Sequence, residues 1–180
     1  MQKETYNGWC AIKTVHCKEM EIADWLRSQG FECFVPMAYK KVYIKSEDRE
    51  KRMLVPAVHN YLFVRRIVSD AEFEKVVSQS TIPFYVIKSL KGKQYAVISD
   101  AEMTEFRMIC DPDFSDDATF MSSAEADIIP GHEVEVINGP WKGTRGKLSR
   151  IKGKHFFIKA VIGMGVMLHI SRWYCRRVKD

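Results

Sequence analysis

The strongest constraint on the fold is a glycine-rich turn between two strand-like runs near the carboxyl end of the sequence. In residues 133–136 two valines alternate with two glutamates, which is the period of a half-buried strand. Asn138-Gly139-Pro140 ends this strand in a turn. Gly143 and Gly146 allow backbone angles or close approaches that a side chain would forbid, and a second strand follows. The pattern therefore predicts a β-hairpin in an antiparallel β-structure.

The composition favours a folded chain. Hydrophobic residues make up 46% of the 180 residues, which is enough for a packed core. No apolar run approaches the length needed to cross a bilayer, and the first residues lack the apolar stretch of a signal peptide. We therefore expect a cytoplasmic protein with no membrane partner.

The cysteines argue against a disulfide framework and a structural zinc site. Their number is five, which is odd, and no Cys-x-x-Cys pair occurs. His16 beside Cys17 could be half of a metal site, but ordinary strand and loop residues are the better interpretation. The sequence also has no phosphate-binding glycine loop and no nucleophile elbow. We predict no enzyme, no catalytic residue, no metal and no cofactor.

Charge divides the chain into three parts. Residues 1–110 hold 17 basic and 14 acidic residues, residues 111–129 hold six acids and no base, and residues 130–180 hold 11 bases and three acids. The middle part has neither hydrophobic period and is predicted to be an acidic linker. The basic last part suggests an anionic partner. Lysines that serve only solubility are the alternative.

The part before the linker alternates between strands and helices. Ser69 with Glu72, and Ser99 with Glu102, have the spacing of capping boxes that begin two helices. The predicted elements are a strand at 9–15, a helix at 18–29, strands at 31–35 and 61–64, a hairpin at 40–52, and strands at 84–87 and 95–98. This order predicts an α+β sandwich, of ferredoxin-like arrangement, with helices on a mainly antiparallel sheet.

Taken together, these elements resemble the NusG family. The resemblance is based on the strand that begins at Trp9, the helix after it, the run Tyr61-Leu62-Phe63-Val64, the linker and the glycine-rich hairpin. The hairpin by itself resembles a KOW motif. The resemblance runs from Trp9 to Val178 and implies a polymerase-binding domain of the NGN type at 1–110 and a KOW SH3-like β-barrel at 130–180. Residues 29–37 and 60–64 look closest to the specialised branch that includes RfaH. The ending at 173–177 is similar to UpxY proteins, the antiterminators of capsular polysaccharide operons in Bacteroides-type bacteria.

The resemblance implies a transcription antitermination factor. Its N-terminal domain would dock on RNA polymerase, at the clamp helices of the largest subunit, and would disfavour pausing and termination in long operons. Tyr61 and Phe63 match the family's aromatic docking positions. Because Tyr61 and Phe63 alternate with Leu62 and Val64, both are expected to project from one face of the sheet while their neighbours enter the core on the other. A core position is the alternative for Phe63.

The specialised branch also contacts nucleic acid, either the non-template DNA strand or nascent RNA. The candidates are Lys18, Arg27 and Gln29 around the first helix, and Lys40 and Lys41 on the hairpin. The barrel would recruit a ribosomal small-subunit protein, the termination factor Rho, or RNA. Its candidate contacts are Lys142, Arg145, Lys147, Arg150, Lys152 and Lys154. For all of these side chains, a solvated surface charge is the alternative.

Two other functions stay open at this point. One is a housekeeping elongation factor of the NusG type. The other is a stand-alone KOW protein that binds RNA or the ribosome, with the N-terminal domain as a structural partner.

Overall fold

The computed structural model describes residues 8–90, 92 and 94–178. The start of the chain at residues 1–7, on which the expectation of no signal peptide rests, lies outside these ranges. The chain forms two compact units. The first unit comprises the residues up to Val35 together with Val58–Met103, and the second comprises Pro36–Ala57 together with the residues from Thr104 onward.

The helices and strands follow the predicted order, with short additions. In chain order they are β1 (Trp9–Thr14), α1 (Glu19–Ser28), β2 (Cys33–Phe34), β3 (Met37–Ile44), β4 (Arg49–Pro56), β5 (Tyr61–Arg65), α2 (Asp70–Ser78), β6 (Phe84–Val86), α3 (Asp100–Ile109), β7 (Thr119–Met121), α4 (Ser123–Ile128), β8 (His132–Val136), β9 (Arg145–Ile151), β10 (Lys154–Val161), β11 (Met164–His169), a 3₁₀ turn (Arg172–Tyr174) and β12 (Cys175–Arg177).

The first unit is built on a four-stranded antiparallel sheet with the strand order β2-β5-β1-β6. Helix α1 buries Ile22 and Leu26, as its apolar spacing predicts. Burying an aliphatic side chain of this size contributes about 1.5–3 kcal/mol. The segment at 95–98, predicted to be a strand, forms only isolated bridges, because Trp9 pairs with Ile98 and Lys88 with Tyr95 without a continuous ladder.

Capping boxes begin three of the helices. The amide of Glu72 donates to Ser69 Oγ at 3.3 Å, and the amide of Ser69 donates to a Glu72 carboxylate oxygen at 3.0 Å. Ser99 and Glu102 make the same reciprocal pair at the start of α3. A third box, Ser122 with Glu125, begins α4. The two predicted boxes are therefore confirmed, and each satisfies helix amides that would otherwise lack a partner.

The box glutamates should make stability depend on pH in the acid range. Hydrogen bonds from the Ser69 hydroxyl and amide lower the pKa of Glu72 from its ordinary 4.5. A carboxyl whose pKa is lower in the folded state stabilises the fold above its unfolded pKa, and this contribution disappears as the pH falls through the folded value. Glu72→Gln should therefore melt below wild type at pH 7, and the gap in melting temperature should be smaller at pH 3, which lies below the ordinary pKa of 4.5. A gap of the same size at both pH values, or one matched by Glu133→Gln, would contradict this prediction.

The second unit contains the β3–β4 hairpin and a six-stranded antiparallel sheet with the order β12-β8-β9-β10-β11-β7. Val134 and Val136 of β8 are buried, as the predicted alternation requires. The fold class predicted from the sequence, an α+β domain followed by a KOW-type SH3-like barrel, is confirmed.

The segment 111–129 is more ordered than the predicted linker. Strand β7 pairs with β11 through Phe120 and Val166, so the six-stranded sheet includes residues from Thr119. Helix α4 packs against β10 and β11 and buries Ala126. A three-residue strand and a six-residue helix are too short to show a hydrophobic period. The local signal that the sequence does contain is the Ser122–Glu125 spacing of a capping box.

The two glycines of the hairpin motif have different physical roles. Gly143 has a φ of +91°, a backbone angle that L-residues rarely adopt. Gly146 is in a strand, and a Cβ added there would lie 2.6 Å from the carbonyl oxygen of Ile158 and 2.7 Å from the ring of Phe157. The glycine at 146 therefore lets β9 approach β10 and the core ring closely.

Replacing Gly146 by alanine should destabilise the six-stranded sheet by about 2 kcal/mol, because the backbone carbonyl of Ile158 cannot move aside without disturbing the ladder. Hydrogen exchange of the β9 and β10 amides would measure the effect. The control is Gly153→Asn, since Gly153 has a positive φ that asparagine tolerates and open space around it. Equal exchange rates in the two variants would refute the close-approach explanation.

Among the residues described above, no helix is long and apolar enough to cross a membrane. In the same ranges, no group of three or more His, Cys, Asp or Glu side chains is placed to hold a metal ion. The five cysteines are free thiols. Burial raises the pKa of Cys10 and of Cys33 to about 11, so both thiols are protonated at neutral pH and are poor nucleophiles.

Candidate functional site

Strand β5 carries the two aromatic residues predicted to dock on a partner, and they differ in exposure. Tyr61 is partly exposed, whereas Phe63 is 0% exposed. The centroid of the Phe63 ring lies 6.2 Å from that of Phe34. Phe63 pairs across the sheet with Phe34 on one side and Ala11 on the other. The prediction of an exposed aromatic at Phe63 is therefore wrong for this structure, because cross-strand packing makes its ring part of the core.

The exposed partners of Tyr61 lie on the neighbouring strands. Lys13 of β1 pairs with Tyr61 of β5 and also with Tyr85 of β6. Directly paired residues in antiparallel strands project from the same face of the sheet. Tyr85 is 64% exposed and Lys13 is exposed, so the three side chains form an aromatic–basic–aromatic row across three strands. We call Tyr61, Lys13 and Tyr85 the strand row.

The strand row was only partly predictable from the sequence. Tyr61 was identified by its position in the Tyr-Leu-Phe-Val run, but Lys13 and Tyr85 were not. Lys13 is the one exposed residue in the otherwise buried strand β1, and that break in an apolar run is a signal that the sequence does contain. Within 8–90, 92 and 94–178, Lys13 has no ion-pair partner, so its charge is available to a ligand.

A buried carboxylate positions Tyr61. Glu19 is only 1% exposed, and one of its oxygens accepts the amide hydrogen of Asn60 at 3.1 Å while the other lies 3.3 Å from His59 Nδ1. Asn60 adopts a φ of +66°, and its side-chain oxygen accepts the amide of Cys17 at 2.8 Å. These contacts connect the turn before β5 to the start of α1. They therefore fix the position of Tyr61, the first residue of β5.

The structure does not bring the polar candidates of α1 together. Lys18 and Arg27 are nine residues apart, about 14 Å along the helix axis. Lys18 pairs with Glu21, and Arg27 pairs with Asp24 at 2.8 Å. Gln29 donates to Ser28 at 3.3 Å. The charges of Lys18 and Arg27 are thus partly neutralised by their acidic neighbours. The three side chains do not form a continuous basic strip.

The β3–β4 hairpin presents its cations on both faces. Lys41 pairs with Arg52, whose guanidinium lies 4.2 Å from the centre of the Tyr39 ring and 2.7 Å from an Asp116 oxygen. Lys41 lies 3.9 Å from Glu50, at the limit of an ion pair.

Lys40 lies on the opposite face of the hairpin. It pairs with Met53, and Lys51 pairs with Val42 on that same face. In the described part of the chain, Lys40 and Lys51 have no ion-pair partner, and all four side chains are exposed. This face is both basic and apolar, and of the predicted positions for nucleic acid it has the most available charge.

The six basic candidates of the barrel are separated. Lys142 lies in the turn before β9, whereas Lys152 and Lys154 lie beyond its other end, about 20 Å away along a seven-residue strand. Lys147 turns back on the chain and donates to the carbonyl oxygens of Ala126 and Asp127 at 2.9 and 3.2 Å. Arg145 and Arg150 are exposed. The six predicted contacts are therefore distributed over both ends of β9.

Comparisons with known proteins agree with this architecture. The family model described as "Transcription termination factor nusG" matches residues 7–107, which is more than half of the chain. A solved structure titled "Domain interaction in Thermotoga maritima NusG" is similar to this chain with a TM-score of 0.51 and 16% sequence identity. The similarity covers 96% of this chain and 97% of that one, and at this identity it shows the fold.

None of the curated proteins compared matches the sequence. The assignment therefore rests on the family model, which spans the sheet that carries the strand row, and on the fold that both units share with the Thermotoga protein. From these findings, the chain belongs to the NusG family of transcription factors.

Proposed function

We propose that this protein is a specialised antitermination factor. Its first unit binds the clamp helices of the largest subunit of RNA polymerase through the strand row, and the bound factor promotes elongation through long operons, such as those for capsular polysaccharide. Family membership supports the transcriptional role. The resemblance of residues 29–37, 60–64 and 173–177 to RfaH and UpxY proteins supports the specialised one.

The strand row is the observation that carries the polymerase contact. Two tyrosines on either side of a lysine suit a protein surface with both apolar and acidic side chains, because tyrosine contributes large contact area with little loss of conformational entropy. The row is also held rigidly, since its members are fixed by the β5-β1-β6 ladder rather than by a loop. A rigid surface loses less entropy on binding than a mobile one.

Nucleic acid is the second proposed partner. Lys40 and Lys41 lie on opposite faces of the hairpin, and the Lys40 face adds Lys51, Val42 and Met53. Cations beside apolar side chains suit an unpaired strand, whose phosphates and bases need both kinds of contact. The non-template strand of the transcription bubble is such a substrate.

Mapping transcript 3′ ends across the genome, with and without the protein, tests the proposal. A specialised factor should change read-through in one or a few long operons and leave growth intact. Changes in pausing across the whole genome would identify a housekeeping elongation factor instead. If no transcript end moved, antitermination would be rejected.

A pull-down separates the remaining alternative. A stand-alone RNA-binding protein would not retain polymerase, and its RNA binding would not change in variants of the strand row. Retention of polymerase that depends on Tyr61 and Tyr85 supports the proposed factor.

A further inference from the structure

One end of the six-stranded sheet exposes an unusual amount of aromatic surface. Trp173 in the 3₁₀ turn is 83% exposed, and Tyr174 and Ile137 are each 40% exposed. Contiguous exposed apolar side chains, unlike single scattered ones, are typical of a surface that contacts a partner. We call Ile137, Lys142, Arg172, Trp173 and Tyr174 the barrel-end patch.

Backbone contacts hold the patch in one place. The amide of Ile137 donates to the carbonyl of Tyr174 at 2.8 Å, and a Cβ placed on Gly139 would lie 3.4 Å from the Tyr174 ring. The amide of Tyr174 donates to the carbonyl of Ser171 at 3.0 Å, which closes the turn that carries Trp173. The turn at 137–143 and the 3₁₀ turn are therefore adjacent at the end of the β8–β12 pair.

The charge of this end has one sign. Residues 137–143 and 171–178 contain four basic residues and no acidic residue. They are Lys142, Arg172, Arg176 and Arg177. Arg176 pairs with Glu135 at 3.1 Å, whereas the other three have no ion-pair partner within the described ranges. The partner that complements this surface is therefore an anion with repeated charge.

We infer that the barrel-end patch binds single-stranded nucleic acid, with an unpaired base stacked on Trp173 and the phosphates on either side paired with Arg172 and Lys142. An exposed indole flanked by cations is the combination that unpaired strands need, because each base offers a π-face and each linkage a negative charge. The inference rests on the proposed function, since it gives the barrel of a polymerase-bound factor its own contact with an unpaired strand. It also differs from the six predicted barrel contacts, of which only Lys142 belongs to the patch.

Fluorescence anisotropy tests this inference in the full-length protein carrying Lys40→Gln and Lys51→Gln, so that the basic face of the hairpin does not contribute to binding. The probes are labelled oligo-uridine and oligo-thymidine of about 12 nucleotides, a length within the site sizes of small nucleic-acid-binding barrels, and a duplex of the same length. Trp173→Ala should weaken single-strand binding at least about fivefold, and Trp173→Phe should weaken it less, because a stacking ring remains. Arg172→Gln should lower the slope of log K against log salt by about 0.7, the value for one lost phosphate contact on a single strand.

Phe114→Ala is the matched control. Phe114 is 56% exposed in the same unit, but it lies among Asp111, Asp113 and Asp116. Its loss should not change oligonucleotide binding. Polymerase retention should also be unchanged in Trp173→Ala, so failure of the barrel-end site is distinguishable from failure of the proposed function.

Several results would overturn the inference. They are an affinity that Trp173→Ala leaves unchanged, equal affinity for the duplex and the single strands, or binding of an acidic peptide with no binding of either oligonucleotide. Stronger binding of oligo-uridine than of oligo-thymidine would support it and identify RNA as the strand bound. The reverse preference would support it and identify DNA.

Discussion

Replacing Tyr61 and Tyr85 together by alanine is expected to raise the Kd for the transcribing polymerase about 100-fold. Each tyrosine of the strand row exposes its ring beside Lys13, and truncating an aromatic hot spot costs about 1–2 kcal/mol in binding. The two rings flank the same lysine, so both lose contact with one partner surface. Titration of the purified protein against assembled elongation complexes would measure the change.

The single variant Lys13→Glu isolates the charge of the row. It should lower affinity and reduce the dependence of binding on salt, because an attraction becomes a repulsion without loss of aromatic area. Trp173→Ala is the control from the barrel-end patch and should bind polymerase as wild type does. A folded double tyrosine variant that kept wild-type affinity would show that the strand row is not the polymerase contact.

Glu19→Ala is expected to destabilise the first unit by about 3 kcal/mol. The buried carboxylate accepts the amide of Asn60 and contacts His59, so its removal leaves the partly buried Asn60 amide without this partner and creates a small cavity. Hydrogen exchange of the β1 and β5 amides reports on the stability of this unit. Amides that exchange only when the whole unit unfolds should exchange about 100-fold faster in the variant.

Glu21→Ala provides the comparison for this prediction. Glu21 lies in the same helical turn as Glu19, but its side chain is exposed and pairs only with Lys18. Exposed pairs of this kind contribute about 0–1 kcal/mol. If the two variants exchanged at similar rates, Glu19 would not be what holds the turn before Tyr61. A large effect for Glu19→Ala alone would also predict weaker polymerase binding, because Tyr61 follows directly from that turn.

Local patterns in the sequence were sufficient where the cause is local. The capping boxes at Ser69 and Ser99 depend on residues three positions apart, and both form as predicted. Gly143 and Gly146 were recognised as positions that need a missing side chain, and the structure assigns a positive φ to one and a close approach to the other. The segment 111–129 is more ordered than its sequence predicts, because β7 is a strand only through its pairing with β11.

Position in a strand did not determine exposure. Tyr61 and Phe63 lie two residues apart in β5 and share a face, yet only Tyr61 reaches the surface. The difference comes from their cross-strand neighbours, since Tyr61 lies beside Lys13 whereas Phe63 lies beside Phe34 and Ala11. The same reasoning separates the six barrel bases, which are close in sequence but distributed over both ends of β9.

Most of the element order, the capped starts of α2 and α3, the glycine-dependent hairpin and the family can be predicted from the amino-acid sequence, because each depends on short-range spacing or on the pattern of the whole chain. Which side chains meet depends on the folded sheets, since strand register joins residues that are far apart in the chain. Lys13 reaches Tyr61 and Tyr85 through that register, and Ile137 reaches Tyr174 through the pairing of β8 with β12. The candidate binding surfaces are therefore properties of the folded sheet, whereas the fold is already specified along the chain.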